Sequence, residues 1–349
     1  MLVHPSFRLN GKAYERNALD LAAQQWAVSS DKDQQGVGHF LVDWLSDDEH
    51  IALHTSGSTG KPKEIQMPKT AIYASAVRTA AFFNLSEGDS ALLCLPIRYI
   101  AGKMMLVRAL VLGLHLDIIP PKTKLPIEKN YTFAALIPLQ ANTSFDVLGR
   151  FKTVLIGGAP IPTDLRKRIS KKYKHCIETY GMTETLTHVA TRIVSDAVIP
   201  FKVMPGIGIA TDENDCLVLE VPYVPLSPLV TQDVVRLEGR DSFRLFGRRD
   251  WVINSGGMKI FPEALEEVLT PFIKFPFFFT ALPDANLGEQ LVLLVEAPAT
   301  EKTAIMAIAQ QHLGANKHHI PKQVICMDAF MHTRSGKLDR KATIKRLNM

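Results

Sequence analysis

The sequence lacks long apolar runs and has few cysteines. No uncharged hydrophobic stretch reaches about 18 residues, the length at which a segment becomes a candidate membrane span. The first residues, MLVHPSFRLNGK, have neither the apolar centre nor the cleavage site of a secretory leader. The cysteines form no CxxC pair and no dense disulfide framework. We therefore expect a cytoplasmic protein with reduced, mostly buried thiols at Cys94, Cys176, Cys216 and Cys326.

A strong excess of one charge is also absent. The formal net charge is +5 at pH 7, and the aromatic residues, 8% of the chain, are not interleaved with basic ones. This composition gives no indication of a nucleic-acid partner, and polyphosphate ligands explain the charge balance equally well. We expect small-molecule ligands, with no nucleic acid and no membrane as partners. The oligomeric state is left open.

The spacing of apolar residues predicts an α/β fold for the first part of the chain. With 349 residues the chain exceeds one comfortable hydrophobic core, so two domains are expected. Short apolar runs alternate with segments of helical periodicity, which favours a largely parallel sheet covered by helices. The predicted strands are 51–54, 91–95, 133–137 and 154–156, and the predicted helices are 17–28, 39–45, 69–83, 103–112 and 162–172.

The pattern changes after about residue 200. Short β-rich runs at 216–221, 226–230, 234–237 and 243–246 predict a small β-subdomain. From residue 250 onward, strands alternate with helices at 262–269 and 302–312, which predicts a compact α+β domain of about 100 residues. The boundary is expected between Arg249 and Asp250.

A loop rich in glycine, hydroxyl groups and lysine follows the first strand. Residues 55–63 read TSGSTGKPK, a composition that suits a polyphosphate because glycine exposes backbone N–H groups and lysine adds charge. Thr55 and Pro62 occupy the places where the Walker pattern needs Gly and Ser or Thr, so an ordinary P-loop is disfavoured and magnesium needs another ligand. The alternative is a plain surface turn.

Three further motifs follow in order, and together they resemble one family. They are YGMTE at 180–184, GRRDWVINSGGMKIFPEALE at 247–266 and RSGKLDR at 334–340. With the glycine-rich loop they resemble the superfamily of adenylate-forming enzymes, which contains acyl-CoA synthetases, firefly luciferase and the adenylation domains of peptide synthetases. The resemblance implies an acid–thiol ligase that uses ATP, Mg²⁺ and coenzyme A. It also implies an N-terminal adenylate-forming domain at 1–249 and a mobile C-terminal lid domain at 250–349.

The resemblance assigns an ATP site. Tyr180 is expected to stack on adenine, Asp233 to hold the ribose hydroxyls, and Arg248 to reach the ribose or a phosphate. The usual Thr-Gly-Asp reads Thr231-Gln232-Asp233 here. The other expected ATP-binding residues are Thr55, Ser56, Gly57, Ser58, Thr59, Gly60, Lys61, Gly158, Ala159, Pro160, Thr179, Gly181 and Met182.

The resemblance also assigns the catalytic groups. Thr183 is expected to donate to phosphate and Glu184 to bind magnesium, since a hard cation that bridges phosphates prefers oxygen ligands. Lys337 is expected to neutralise charge during adenylation, although a solvated basic tail is the alternative. Asp250 matches the hinge. Ser255, Gly256 and Gly257 are expected to line a coenzyme A tunnel or, alternatively, to form an ordinary turn.

The acid is predicted from the short chain. The glycine-rich loop begins about a hundred residues earlier than in most of the family, so we expect a shortened N-terminal domain, as in o-succinylbenzoate–CoA ligases of menaquinone synthesis. The segment LPIRYIAGKMMLVRAL at 95–110 is similar to that group. The alternatives are another aryl or short-chain acid and a non-catalytic nucleotide-binding relative. The expected acyl-pocket residues are Arg98, Tyr99, Lys103, Gly157 and His188, with Thr187 beside them.

Overall fold

The structure is a computed structural model that describes residues 3–54, 63–332 and 338–348. Its helices are α1 Arg16–Ala27, α2 Lys32–Leu45, α3 Lys69–Phe83, α4 Ile100–Leu112, α5 Pro138–Thr143, α6 Thr163–Lys172, α7 Pro262–Leu269, α8 Lys302–Leu313 and α9 Arg340–Lys345. Within the described ranges, no helix has the length and apolar character needed to span a membrane.

The strands fall into a long first group and a compact second group. The first group is β1 Arg8–Leu9, β2 Lys12–Ala13, β3 His50–His54, β4 Glu64–Pro68, β5 Ser90–Leu93, β6 His115–Ile118, β7 Tyr131–Leu136, β8 Phe151–Ile156, β9 Cys176–Gly181, β10 His188–Ile193, β11 Phe201–Val203, β12 Gly208–Thr211, β13 Cys216–Glu220, β14 Leu229–Leu237 and β15 Ser242–Arg248. The second group is β16 Ile253–Ser255, β17 Met258–Ile260, β18 Phe277–Asp284, β19 Gly288–Glu296 and β20 Gln323–Met327.

One large sheet organises the first part of the molecule. Its strand order is β12-β13-β14-β15-β11-β10-β9-β8-β7-β5-β6-β1-β2. The pairs from β9 through β8, β7, β5 and β6 to β1 are parallel, and the pairs from β9 to β12 are antiparallel. The predicted α/β class and the β-rich segment are both confirmed, and the β-rich strands continue the antiparallel end of this sheet.

Apolar helices cover the parallel strands. Helix α4 is almost wholly buried from Met104 to Val111, and Trp44 on α2 is fully buried in the same core. A second core, which includes Leu165 of α6, lies against β7 and β8. The carboxyl ends of the central strands are therefore held rigidly between packed layers, as parallel sheets require.

The last hundred residues have their own sheet and core. Strands β16 to β20 hydrogen-bond to one another, and Ile253, Leu293 and Ile305 belong to a core of this region. A short 3₁₀ turn, Arg249–Trp251, separates β15 from β16. A small C-terminal α+β domain is the predicted arrangement, while the boundary at 249/250 and the mobility of that domain stay predictions.

Two local differences from the sequence prediction have physical causes. Helix α2 begins at Lys32, because the Asp31 side chain accepts hydrogen bonds from the backbone N–H groups of Asp33 and Gln34. The runs predicted at 226–230 and 234–237 form the single strand β14, with an irregularity in its pairing between Val234 and Val235. An irregularity of this kind lets one strand change its side-chain pattern without ending.

Candidate active site

The carboxyl ends of β8 and β9 meet at a point that requires glycine. A Cβ on Gly157, the residue after β8, would lie 2.3 Å from Thr179 Oγ1 near the end of β9. The next residue, Gly158, has a positive φ of 82°, a conformation that side chains disfavour. The predicted Gly157–Pro160 turn and the start of the Thr179–Glu184 segment therefore lie side by side.

The turn after β9 is tightly constrained. A Cβ on Gly181 would lie 2.3 Å from the Thr187 carbonyl oxygen and 2.7 Å from His188 Cα, so this strand end packs directly on the start of β10. The Thr185 hydroxyl is 2.7 Å from the Thr187 carbonyl oxygen and accepts a hydrogen bond from Met182 N–H. This bracing leaves Thr183 and Glu184 partly exposed at the strand end, where a phosphate or a metal can reach them.

A polar network joins the end of β9 to β14 and β15. The Tyr180 hydroxyl donates to Asp233 Oδ2 over 2.5 Å. Strand pairing places Asp233 opposite Arg248, with Arg248 Nη1 3.6 Å from Asp233 Oδ1. The other terminal nitrogen of Arg248 donates to Asp250 Oδ2 over 2.9 Å. The predicted adenine, ribose and hinge residues thus form one connected group.

The one cation of this group, Arg248, is compensated by carboxylates. Burial and then the Asp233 carboxylate raise the pKa of Tyr180, so its hydroxyl stays protonated and can donate. The Tyr180 ring meets Phe243 edge-on with 5.3 Å between ring centres. Arg248 faces two carboxylates, and the network can present hydroxyl and carboxylate groups to an uncharged nucleoside.

A buried arginine that the sequence reasoning missed lies close to the same strand end. Arg108, on the apolar helix α4, is only 2% exposed and donates from Nη2 to Thr187 Oγ1 over 2.5 Å. In the described part of the chain no carboxylate pairs with it, and its Nε has no partner. Burial lowers its pKa to about 10, which still leaves it charged at neutral pH. The signal available in the sequence was one arginine inside the run MMLVRALVL.

His188 completes this second cluster. It is 6% exposed, and its Nδ1 lies 3.0 Å from Thr187 Oγ1. Burial, followed by the charge of Arg108, lowers the pKa of His188 well below its usual value, so the ring is neutral. Its edge packs on Phe83 of α3, with 5.6 Å between ring centres. Thr187, His188 and Arg108 therefore form a compact donor-rich group behind the Tyr180–Glu184 turn.

A second cation borders this cluster. The guanidinium carbon of Arg78 lies 5.0 Å from the centre of the Tyr223 ring. Burial raises the pKa of Tyr223, although the charges of Arg78 and Arg108 act in the opposite direction. Arg78 and Arg108 therefore both act on the same tyrosine.

The other predicted acyl-pocket residues lie in different surroundings. Arg98 is exposed, with its guanidinium carbon 4.9 Å from the centre of the Tyr99 ring. Lys103 lies over the ring of Phe40 on α2 at 5.3 Å, and burial lowers its pKa. None of these contacts joins them to the cluster around Arg108, and their assignment to the pocket stays a prediction.

The predicted coenzyme A segment forms a tight hairpin. Ser255 and Met258 pair at the ends of β16 and β17, and Gly256 and Gly257 between them both have positive φ angles, 58° and 79°. The turn itself thus requires glycine. An ordinary turn and a tunnel wall both fit this geometry, so the tunnel remains a prediction.

Two predicted elements lie outside the described residues. They are the glycine-rich segment from Thr55 to Lys61 and the lysine Lys337. Strands β3 and β4, on either side of the first segment, pair in antiparallel fashion from His50 to His54.

The metal-binding capacity of the described residues is small. Among them no group of three or more His, Cys, Asp or Glu side chains could hold a metal ion. Magnesium commonly binds through one or two carboxylates together with substrate phosphates. The single partly exposed carboxylate of Glu184 fits such a site.

Comparisons with known proteins define the class. The sequence profile of the family described as AMP-binding enzyme matches residues 11–229, and the chain belongs to this family. A solved acyl-CoA synthetase (AMP-forming)/AMP-acid ligase II-like protein from Dyadobacter fermentans is 32% identical, with a TM-score of 0.59 over 94% of this chain and 98% of its own. The protein is an AMP-forming acid–thiol ligase, as its motifs predict.

Relatives with a named substrate are more distant. The 2-succinylbenzoate–CoA ligase of Listeria monocytogenes is 25% identical over 320 residues, which cover 82% of this chain and 68% of the relative. The o-succinylbenzoate coenzyme A synthetase of Bacillus subtilis, solved with ATP and magnesium, is 18% identical with a TM-score of 0.73. The alignment covers 95% of this chain and 82% of the Bacillus subtilis chain. At this identity the comparison shows a shared fold.

Proposed function

We propose that this protein is an o-succinylbenzoate–CoA ligase, a cytoplasmic enzyme of menaquinone biosynthesis. The substrate carboxylate attacks the α-phosphorus of ATP, pyrophosphate leaves, and an acyl-adenylate forms. The thiol of coenzyme A then attacks the acyl carbon and releases AMP, and the thiol proton passes to solvent. Relatives named for this substrate support the proposal, and the charge pattern of the site favours it independently.

The observation that carries the proposal is the buried cation Arg108. Burying an isolated charge costs several kcal/mol. Pairing it with an oppositely charged group of a ligand can offset a cost of about this size. o-Succinylbenzoate has two carboxylates, and one of them remains charged after the other has joined AMP. A carboxylate placed against Arg108 would satisfy both charges in a region where the described residues supply no anion. A monocarboxylic acid would leave Arg108 unpaired.

The nucleotide end of the proposed site uses the network around Asp233. Asp233 and Tyr180 bind the nucleoside, and Arg248, held by Asp250, reaches the ribose or a phosphate. Thr183 donates to a phosphate, and Glu184 holds magnesium. Bound at Glu184, magnesium would supply neutralisation of phosphate charge. Lys337 is proposed, from the sequence resemblance, to stabilise charge in the adenylation step.

The C-terminal domain is proposed to act as a lid. Residues 250–349 would turn about Asp250 after adenylation, so that Ser255, Gly256 and Gly257 face the second substrate. The small side chains of that hairpin leave room for the pantetheine arm. Coenzyme A is favoured over a carrier protein because the relatives with a named substrate are CoA ligases.

The test is acid-dependent release of pyrophosphate from ATP, with coenzyme A present. The panel contains o-succinylbenzoate, benzoate, succinate and a medium-chain fatty acid. Preference for o-succinylbenzoate, with formation of its CoA thioester, is the expected result. Preference for another acid keeps the ligase mechanism and overturns the pathway assignment. Absence of pyrophosphate release with every acid, while ATP still binds, would overturn catalysis as well.

A further inference from the structure

Arg108, Thr187 and His188 form a relay of hydrogen bonds. Arg108 Nη2 donates to Thr187 Oγ1 over 2.5 Å, and the same oxygen is 3.0 Å from His188 Nδ1. The other ring nitrogen of His188, Nε2, is buried and has no partner among the described residues. The relay therefore ends in an unused polar atom inside the protein.

The protons on this relay determine the form of the imidazole ring. Arginine can only donate, so Thr187 Oγ1 accepts from Arg108 and keeps one proton to donate. In the described residues the acceptor for that proton is His188 Nδ1, which must then carry a lone pair. A neutral ring with a lone pair on Nδ1 has its proton on Nε2. The opposite tautomer would leave the Thr187 hydroxyl without an acceptor beside a cation.

We propose that His188 is a specificity-determining residue whose Nε2–H donates to a carbonyl oxygen of the acyl group, and that Thr187 is the residue that positions it. The substrate of such a site is an acid with two carboxylates and a ketone oxygen between them. This inference rests on the proposed function, because it takes the surroundings of Arg108 as the acyl site.

The polar groups of such an acid match the groups of the site one for one. One carboxylate reacts with ATP, the second pairs with Arg108, and the ketone oxygen remains. A buried ketone oxygen without a donor costs free energy, and a buried N–H without an acceptor does too. The relay that begins at Arg108 ends at His188 Nε2–H, a donor without a partner among the described residues. The lowered pKa of His188 agrees with a donor that is neutral and leaves the charge to Arg108.

The first test compares two amides at position 188. The amide nitrogen of glutamine reaches the place of Nε2, whereas that of asparagine reaches only the place of Nδ1. We expect His188→Gln to stay within about threefold of the wild type in KM for o-succinylbenzoate, and His188→Asn to raise KM about tenfold or more at a similar kcat. His175→Asn is the matched control, because His175 contacts the Leu148 carbonyl oxygen, far from the relay.

The substrate provides a second arm of this test. In 2-(3-carboxypropyl)benzoate a methylene group replaces the ketone and both carboxylates remain. The wild type should prefer the ketone acid by about tenfold, and His188→Asn should lose that preference. An equal KM for both acids in the wild type, or an unchanged preference in His188→Asn, would overturn the role of His188.

Nitrogen-15 NMR tests the relay without any acid. The His188 signals, identified by their loss in His188→Gln, should show a protonated Nε2 and an unprotonated Nδ1 at neutral pH. Thr187→Val should shift the tautomer balance, and Thr187→Ser, which keeps the hydroxyl, should restore it. A protonated Nδ1 in the wild type would overturn the relay. If the wild type does not use o-succinylbenzoate, the proposed function fails, while the NMR result still decides the relay.

Discussion

The two ends of the proposed site differ in how their cations are compensated. At the nucleotide end, Arg248 lies against Asp233 and Asp250, and Tyr180 donates to Asp233. At the acyl end, Arg108 is more deeply buried, yet no carboxylate in the described ranges faces it. Both groups lie against the same short segment, the end of β9 and the start of β10.

This difference shows which ligand group each end can accept. A network whose cation already faces carboxylates can offer hydrogen bonds to uncharged hydroxyl groups and to a base, and it needs no further anion. An uncompensated buried cation is costly until an anion arrives. If the proposed acyl site is correct, the unliganded protein gives up stability at Arg108 and regains it when a substrate carboxylate binds.

The largest effect is expected from a substitution that removes the carboxylate from a buried group of paired charges. Glu178, on β9 two residues before Tyr180, pairs with Arg166 at 2.8 Å and with Arg192 at 2.7 Å, and none of the three side chains is more than 8% exposed. Glu178→Gln should lower the free energy of unfolding by about 3 to 5 kcal/mol, because two buried arginines lose their anion. Urea denaturation measures this. A loss below about 1 kcal/mol would mean that this fold tolerates unpaired buried arginines, and Arg108 would then carry no information about a ligand.

The second prediction is that Arg108→Met changes stability and activity in opposite directions. Removing an unpaired buried charge should raise the melting temperature of the unliganded enzyme. In contrast, kcat/KM for o-succinylbenzoate should fall roughly 30-fold to several thousand-fold, which corresponds to about 2 to 5 kcal/mol of lost binding free energy in the transition state. Thermal unfolding and steady-state kinetics measure the two effects. Arg240→Met is the control, since Arg240 is exposed in the turn between β14 and β15 and has no assigned role. Lower stability in Arg108→Met would argue for a structural arginine.

The third prediction tests the nucleotide end. Tyr180→Phe keeps the ring against Phe243 and removes the donor to Asp233. Because this bond joins a hydroxyl to a carboxylate, its loss should weaken ATP binding or folding by about 1.5 to 3 kcal/mol. Calorimetric titration with ATP and urea denaturation separate the two. Tyr73→Phe, at a 39% exposed tyrosine on α3, should change neither.

The smallest effect concerns pH. His188 is neutral in the fold, and its pKa is well below the usual 6.5, so the unfolded chain takes up its proton first as the pH falls. The stability that the neutral ring contributes is present above pH 6.5 and is lost as the pH falls below it. Relative to His188→Gln, the free energy of unfolding of the wild type should fall by about 0.8 kcal/mol between pH 8 and pH 6. Parallel pH dependences of the two proteins would contradict this.

The sequence predicted the regular elements more readily than the charge pattern. Helix α3 spans Lys69–Phe83, as its periodicity predicts, because its buried face follows a helical repeat. The β-strand motif around Tyr180 and the distant Asp233 and Arg248 were expected together from the family resemblance, and the structure brings them into contact.

The acyl end was harder to predict, for a physical reason. An arginine in an apolar helix has no motif, and whether it has a partner depends on side chains that are distant in sequence. Thr187 is 79 positions from Arg108. The sequence instead favoured Arg98 and Lys103, whose charges stand out locally but contact Tyr99 and Phe40. Charge compensation is a property of the folded arrangement and does not appear in local composition.

The close approach of Gly181 to Thr187 and His188 limits how the substrate range of this enzyme can change. The end of β9, beside Tyr180, and the start of β10 share one backbone contact with no room for a side chain. Side-chain substitutions at 187 and 188 leave this backbone contact in place, whereas a shift of the backbone there would displace Gly181, the residue next to Tyr180. Engineering that reshapes the backbone of this segment should therefore exchange residues 179–188 as one unit.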